Sequence, residues 1–240
     1  SERASAALTL LKGWDGAMQM DKPQPLIFAA WMRQFMKQLM ADEMKDAFTL
    51  VWNYWPEFSI RVLTNQNGVA RWCDDISTTD KVESCHEQLA SSLDVALKAL
   101  SESHGADPAK WRWDSEHVAN LSHLGFGQIP VLGRLFNMQT PVPGGAHTID
   151  RADHRLGSST PFAAVHGGGF RGISDLGDPG ASAYIIASGQ SGNVYSAHYA
   201  DLVPIWAKGD YIAINRQPAL GDPNVRVLIL SPVQSADNSR

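Results

Sequence analysis

Residues 26 to 40 carry two apolar rows side by side, and this doubling restricts the fold more than any other feature of the chain. Ile27, Trp31, Phe35 and Leu39 recur every fourth residue, and Phe28, Met32, Met36 and Met40 run parallel to them one position on. On a helix of about 3.6 residues per turn the rows merge into a face too wide for a surface helix, so other elements must pack around it. Pro25 suits the first turn, where its missing N–H has no partner to lose. The methionines and aromatics are therefore read as core packing rather than as a ligand-binding box.

Two further helices are expected nearby. Ala4 to Leu11 is short and rich in Ala and Leu, and it stops at Gly13, a residue that tolerates the left-handed conformation on which helices often end. A third helix is predicted from near Asp80, whose carboxylate can accept from orphan N–H groups while Glu83 reaches back, the spacing of a capping box. Val82, His86, Leu89, Leu93, Leu97 and Leu100 then share one face, which makes His86 a core or boundary residue rather than a ligand, and Gly105 ends the helix.

From about residue 140 the texture changes to short β-prone runs separated by Gly, Pro, Asn and Asp: Thr148 to Asp150, Phe162 to Val165, Ala183 to Ala187, Tyr211 to Ile214 and Val225 to Leu230. The last of these is apolar enough for a strand buried on both faces. The expected class is α+β, helical over about 1–125 and strand-rich over about 140–232. As domains, this gives a mainly helical segment 1–125 and a strand-rich C-terminal segment 126–240, closing in a frayed tail at Ser235 to Arg240.

With 240 residues, 44% hydrophobic and 19% charged, the chain can bury a sizeable core. It contains no run of about 18 apolar residues that could span a bilayer, and residues 1–20 lack the regions of a signal peptide, so any export signal is expected outside this chain. The net charge is −5 and the 20 Lys and Arg form no basic stripe, which argues against nucleic acid as a partner. Cys73 and Cys85 stand twelve positions apart, a separation that permits a disulfide in an exported protein without establishing one. A zinc site is disfavoured because neither cysteine has a CxxC partner and only His86 lies adjacent.

Several constellations could carry chemistry. His166-Gly167-Gly168-Gly169 matches the oxyanion motif of lipases, and Gly189-Gln190-Ser191-Gly192 half matches a nucleophile elbow. However, Asn193 occupies the place of the elbow's second Gly, only about two dozen residues separate the motifs, and the last histidine, His198, follows Ser191 by seven positions with no acid between in the required order. The glycines are better explained by close backbone approach or turns. His147, Asp150, Asp153 and His154 form one cluster of metal-type side chains and His198 with Asp201 another, yet neither has a third well-spaced partner, and turns or hydrogen-bonded histidines account for both. No carboxylate pair of the glycosidase type is singled out. Trp14, Trp111 and Trp113 could line a sugar or aromatic pocket, although among eight tryptophans core filling is the commoner role.

Taken in order, five landmarks resemble the β subunit of the penicillin amidase family, which includes cephalosporin acylases and acyl-homoserine-lactone acylases. Leu11-Lys12-Gly13-Trp14-Asp15-Gly16 is similar to the family's L-x-x-W-D-G segment, and Trp111-Arg112-Trp113 with His117 resembles W-x-W-G-x-x-H, with Asp114 in place of Gly. Pro143-Gly144-Gly145-Ala146-His147-Thr148 and Phe170-Arg171-Gly172-Ile173-Ser174-Asp175 resemble the next two. Gly189-Gln190-Ser191-Gly192-Asn193, followed by Ser196, His198, Tyr199, Asp201, Trp206 and Gly209, resembles the signature G-Q-S-G-N-x-x-S-x-H-Y-x-D-x-x-x-x-W-x-x-G.

The resemblance implies the C-terminal portion of an N-terminal-nucleophile αββα sandwich, in which the precursor cuts itself and a serine at the β-subunit N-terminus hydrolyses linear amides. That serine is expected upstream of this chain. Ser1 is not expected to serve, because the family opens with Ser-Asn-x-Trp on a strand, whereas Ser1-Glu2-Arg3-Ala4 leads into a helix. No catalytic and no metal-ligating residue is expected here: the oxyanion asparagine and the calcium ligands of family members fall upstream, so no cofactor is assigned to this chain. Trp14, Asp15, Arg171, Gly189, Gln190, Ser191, Gly192, His198, Tyr199 and Asp201 are expected to be structural, with Gln190, Ser191, His198, Tyr199 and Asp201 forming a hydrogen-bonded scaffold. The implied partners are the remainder of the β subunit, the α subunit and an N-acyl small-molecule substrate, in a periplasmic or secreted setting. The alternative is a non-catalytic structural or binding module of the same architecture. For the chain alone, the wide apolar face of residues 26–40 and the strand edges of 183–230 suggest self-association.

Overall fold

The computed structural model describes residues 2–214 together with 228 and 230. Helix α1 (Glu2–Lys12) precedes α2 (Gln24–Met44), the short α3 (Phe48–Val51), α4 (Pro56–Leu63) and α5 (Cys85–His104). The doubled apolar row does what its width demands. Leu26, Ile27, Phe35, Met36 and Leu39 of α2 are fully buried, each such side chain contributing about 1.5–3 kcal/mol relative to exposure. One side of α2 packs on α1 and α5, with Leu93, Ala96, Leu97 and Leu100, while the other packs on Val62 of α4 and Cys73. The Trp31 indole pins the helix pair by donating to Leu89 O at 3.0 Å and Ser92 Oγ at 3.1 Å. Because this face is covered from within the chain, it gives no ground for self-association, and that part of the expectation is withdrawn.

The third expected helix starts later than Asp80. Its N-cap is Ser84, which accepts from Glu87 N while Glu87 reaches back to the Ser84 N–H at 2.8 Å. Both Asp80-x-x-Glu83 and Ser84-x-x-Glu87 have capping spacing, but Glu83 is engaged elsewhere, accepting from Asp75 N at 3.1 Å and from Thr78 Oγ1. Val82 and His86 consequently lie exposed, and the buried stripe begins with Gln88. Cys73 and Cys85 are joined in a disulfide, with Cα atoms 4.9 Å apart. Gly105 ends α5 at φ +88°, a conformation that favours glycine.

Two sheets follow. The first holds β1 (Val118–Leu121), β2 (Met138–Pro141), β3 (Ala152–His154) and β4 (Ala164–Gly167) in the order β2-β1-β4-β3, with β1 and β4 parallel at Ala119↔Ala164 and the other pairs antiparallel. The second is antiparallel, β5 (Phe170–Ile173), β6 (Ala183–Ile186) and β7 (Ile212–Ala213), in that order. Helix α6 (Pro130–Phe136) links β1 to β2, and α7 (Val203–Ala207) packs Trp206 and Ala207 on Ile185, Ala119 and Ala152.

The α+β class and the strands near 183 and 211 are as expected. Strands β1, β2, β3 and β5 and helices α3, α4, α6 and α7 were not anticipated, and β1 lies within the stretch assigned to helices. Thr148 to Asp150 is not a strand: the Thr148 hydroxyl accepts from Gly145 N at 3.0 Å and closes a turn onto Asp150 O, Arg151 forms an isolated bridge with Gly145, and the ladder to β4 begins at Ala152. The run from Phe162 starts two residues later, because Phe162 turns into the helical core. The strand predicted at Val225 to Leu230, apart from its two described positions, and the tail from Ser235 lie outside the described residues.

Candidate functional site

The turn after α1 shows why the first landmark has its residue types. Asp15 Oδ1 accepts from Ala17 N at 2.9 Å, Gly16 takes φ +85°, and the Trp14 indole donates to Ala17 O at 2.8 Å. This closed turn lays the Trp14 ring against Phe28 of α2, with centroids 5.5 Å apart. Met18 O then accepts from Gly144 N at 2.9 Å, and Gly144 O accepts from the buried Trp113 indole at 3.0 Å. At φ +86°, with Asp150 O occupying the place of any Cβ, position 144 admits only glycine. Three landmarks, distant in sequence, are thus joined by backbone-directed bonds.

Between them lies a cavity of about 350 Å³, lined by Trp14, Met18, Phe28, Met32, Tyr54, Leu156, His154 and the Gly145–Thr148 turn, among others. Its walls carry no Asp, Glu, Lys or Arg. Tyr54 stands edge-on to both Phe28 and His147 at 5.7 Å, and burial raises its phenol pKa. Behind the wall, the His117 ring stacks on Trp113 at 4.2 Å and its Nδ1 meets Phe162 O at 2.6 Å. His154 stands edge-on to Trp113 and His117, 5.7 Å from each. Burial lowers both imidazoles to about 4, so both are neutral at pH 7. His117 Nε2 and His154 Nδ1 are buried without a hydrogen-bond partner. Of the three tryptophans suggested as pocket walls, Trp14 alone lines this cavity, while Trp111 and Trp113 fill the core.

The other landmarks meet around Arg171. Its guanidinium pairs with Asp150 Oδ1 at 2.6 Å, donates to Trp206 O at 2.5 Å, and lies 5.7 Å from the ring centres of Trp206 and Tyr211. The Trp206 indole donates to Gly168 O at 2.8 Å, which assigns the His166-Gly-Gly-Gly run to packing of α7 on the β4–β5 connection. In the loop after β6, Gly189 N donates to Tyr199 O and Ser191 N to His198 O, both at 3.0 Å. A Cβ at Gly189 would strike His198 O. His198 Nδ1 lies 2.8 Å from Asp201 Oδ2, and the Tyr199 hydroxyl donates to Phe136 O at 2.6 Å. Gln190 and Gly192 are exposed.

Ser191 Oγ accepts from Asn193 N at 3.1 Å and so belongs to a turn, not to a serine–histidine pair. The cluster from His147 to His154 is likewise divided. Asp150 goes to Arg171, Asp153 pairs with Arg151 at 2.8 Å, and His154 enters the aromatic stack. Among the described residues no three His, Cys, Asp or Glu side chains are placed to hold a metal ion. Sequence reasoning missed the cavity and the buried His117–His154 pair, because their parts come from segments that local spacing does not connect.

The penicillin amidase family model matches residues 1–220. The acyl-homoserine lactone acylase QuiP of Pseudomonas aeruginosa is 27% identical over 235 residues, covering 90% of this chain and 27% of the relative. QuiP of Pseudomonas syringae pv. syringae is 27% identical over 222 residues, covering 88% and 26%. Among solved structures, the thermostable penicillin G acylase from Alcaligenes faecalis superposes with a TM-score of 0.51 at 16% identity, covering 98% of this chain and 43% of that one, a likeness of fold. The chain therefore spans about a quarter of the length of these curated relatives. A family match over 220 of 240 positions takes in every landmark joined above, and this chain belongs to the penicillin amidase family.

Proposed function

We propose that this chain is the C-terminal part of an acylase that hydrolyses linear amides, and that it supplies scaffold rather than the nucleophile. The observation that carries this reading is that the family landmarks are joined through backbone-directed bonds at Gly144 and Trp206 and through the Arg171–Asp150 pair, with Ser191, His198 and Asp201 engaged in bonds within their own loop. In the proposed reaction, the hydroxyl of an N-terminal serine elsewhere in the protein attacks the amide carbonyl and its own α-amino group takes the proton. Hydrogen-bond donors stabilise the tetrahedral oxyanion, the amine leaves with that proton, and water releases the acid from the acyl-enzyme. Tyr199 holds the loop after β6 onto α6, and Ser191, His198 and Asp201 close that loop on itself ahead of α7, while the exposed Gln190 has no part in that bonding, which narrows the scaffold expected from sequence. The partners are the remainder of the β subunit and an α subunit. The Cys73–Cys85 bridge supports a periplasmic or secreted location.

The test compares the 240-residue chain with a polypeptide extended through its own coding sequence to the length of the curated relatives. Release of free amine from an N-acyl-homoserine lactone and from a phenylacetyl amide is followed with an amine-reactive dye. The extended protein is expected to turn over one of them and the chain alone neither. Turnover by the chain alone, lost on Ser1→Ala, would refute the reading.

A further inference from the structure

Between Glu116 and Asp150 the sequence holds one charged side chain, Arg134, although Asp, Glu, Lys and Arg make up 19% of the chain. A stretch so poor in charge suits a core, yet its middle part does not lie in one. From Ser122 to Asn137 the chain leaves the first sheet between β1 and β2, makes a glycine-rich turn and returns through α6, exposing Leu124, Phe126, Ile129, Val131 and Leu135. Leu124 is as open as in an unfolded chain, at 101%, and Val131 is 80% exposed. Val131 and Leu135 stand four positions apart on α6 and so share one face of it. A single exposed leucine is ordinary, but a cluster of large apolar side chains around one lone charge has the composition of an interface centre.

The excursion is also held rigid from within. His123 Nδ1 accepts from Gly125 N at 3.1 Å and Phe126 N at 3.0 Å, and the His123 ring stacks on Phe126 with centroids 5.1 Å apart. Asn137 ties the two ends together, its Oδ1 accepting from His123 N at 2.9 Å and its Nδ2 donating to Gly127 O at 3.0 Å. A Cβ at Gly127 would strike His123 O and one at Gly133 would strike Gly127 O, so the turn and α6 meet backbone to backbone. The apolar side chains are therefore fixed in place before anything covers them, which lowers the ordering cost of covering them. Segments that lie on membranes carry several Lys or Arg toward the headgroups, and Arg134 alone does not supply them. A protein surface fits better, and some three quarters of the length of the curated relatives lies outside this chain.

We propose that the β1–β2 excursion is the surface on which the remainder of the same acylase docks, through an apolar patch of that remainder that covers Leu124, Phe126, Val131 and Leu135. This rests on the reading of the chain as one part of a larger acylase, though not on turnover by it.

The test is hydroxyl-radical footprinting with mass spectrometry on the extended polypeptide, unsubstituted, in its native state and in concentrated urea, with the radical dose matched by a dosimeter. Oxidation of Leu124 and Val131 is expected to be slower in the native protein by about tenfold or more, as for side chains packed at the density of an interface core. Oxidation of native Leu124 at the rate of the urea-unfolded chain would overturn the proposal. So would protection confined to species that light scattering shows to hold two copies of this chain, or protection that arises only on adding vesicles of phosphatidylcholine and phosphatidylglycerol. Amine release from the two acyl substrates is read on the same preparation. Protection without turnover keeps the docking surface and sinks the acylase reading, and turnover with Leu124 unprotected does the reverse.

Discussion

Acidification should unfold this protein through two histidines that touch no solvent of consequence. His117 and His154 are 0% and 7% exposed, and burial lowers each from 6.5 to about 4. The unfolded chain therefore takes up protons near pH 6.5 that the folded chain refuses until about pH 4. Between those limits the unfolded state binds more protons, so stability is fully present above pH 6.5 and is lost as pH falls. At about 1.4 kcal/mol per pKa unit, a depression of some 2.5 units corresponds to about 3 kcal/mol for each imidazole, a large part of a typical domain's stability. The assay is urea unfolding, monitored by tryptophan fluorescence at several pH values from 7.5 to 4, on the wild type and on His154→Leu. The variant removes one titrating group without breaking a hydrogen bond to Nδ1, and groups distant from it cancel in the difference; His117, lowered chiefly by burial and only in smaller part by His154, shifts little. Over that range the wild type should lose about 3 kcal/mol more than the variant. If the two lose stability in parallel, within about 0.5 kcal/mol, the native His154 is protonated or solvated and the reasoning fails.

Three other perturbations have definite expected outcomes. Replacing Cys73 and Cys85 with Ser opens a loop of twelve residues' separation and should cost about 3 kcal/mol in denaturant melts, an effect that reductant reproduces in the wild type. Gly189→Ala drives a Cβ into His198 O and should destabilise by about 3 kcal/mol, whereas Gly192→Ala, with nothing within 4 Å of the new Cβ, should stay within about 0.5 kcal/mol by calorimetry. Arg171→Lys replaces a planar fork by a point charge, loses either the Asp150 or the Trp206 contact, and should lower thermal stability by about 1.5–3 kcal/mol with a change in Trp206 emission.

Helix α2 was legible because its signal is local and redundant: two parallel rows specify the same period, so tertiary context had nothing to decide. The start of α5 was legible only to within a few residues. Two capping boxes four residues apart satisfy the same rule, and the choice depends on where Glu83 goes, which Asp75 and Thr78 settle from across a loop. Strand β1 escaped notice for a related reason. Val118-Ala-Asn-Leu is too short to alternate convincingly, and its partners lie about 20 and 45 residues downstream. The landmarks were visible as family likeness, but their physical work was not. Nothing in the spacing of Trp14, Trp113 and Gly144 announces that Met18 and Trp113 bond to one glycine from two directions.

Position 114 shows what such a landmark preserves. The family pattern carries Gly there, and a glycine can be required for positive φ, for close approach or for neither. Asp114 is not among the non-glycine residues of positive φ, so the first requirement does not hold in this chain. What holds is its backbone N–H, which donates to Met20 O at 2.9 Å beside the Trp113 N–H bond to Lys22 O at 3.0 Å. Its carboxylate turns to the Arg112 guanidinium at 2.9 Å, leaving the chain path undisturbed. The contrast with Gly144, where both φ and the crowding of Asp150 O exclude any side chain, separates two kinds of glycine within one motif set. Positions of the first kind can drift, since only the backbone bond is constrained. Positions of the second kind cannot, because a side chain there would part the turn that holds the cavity wall from the Asp150–Arg171 pair behind it.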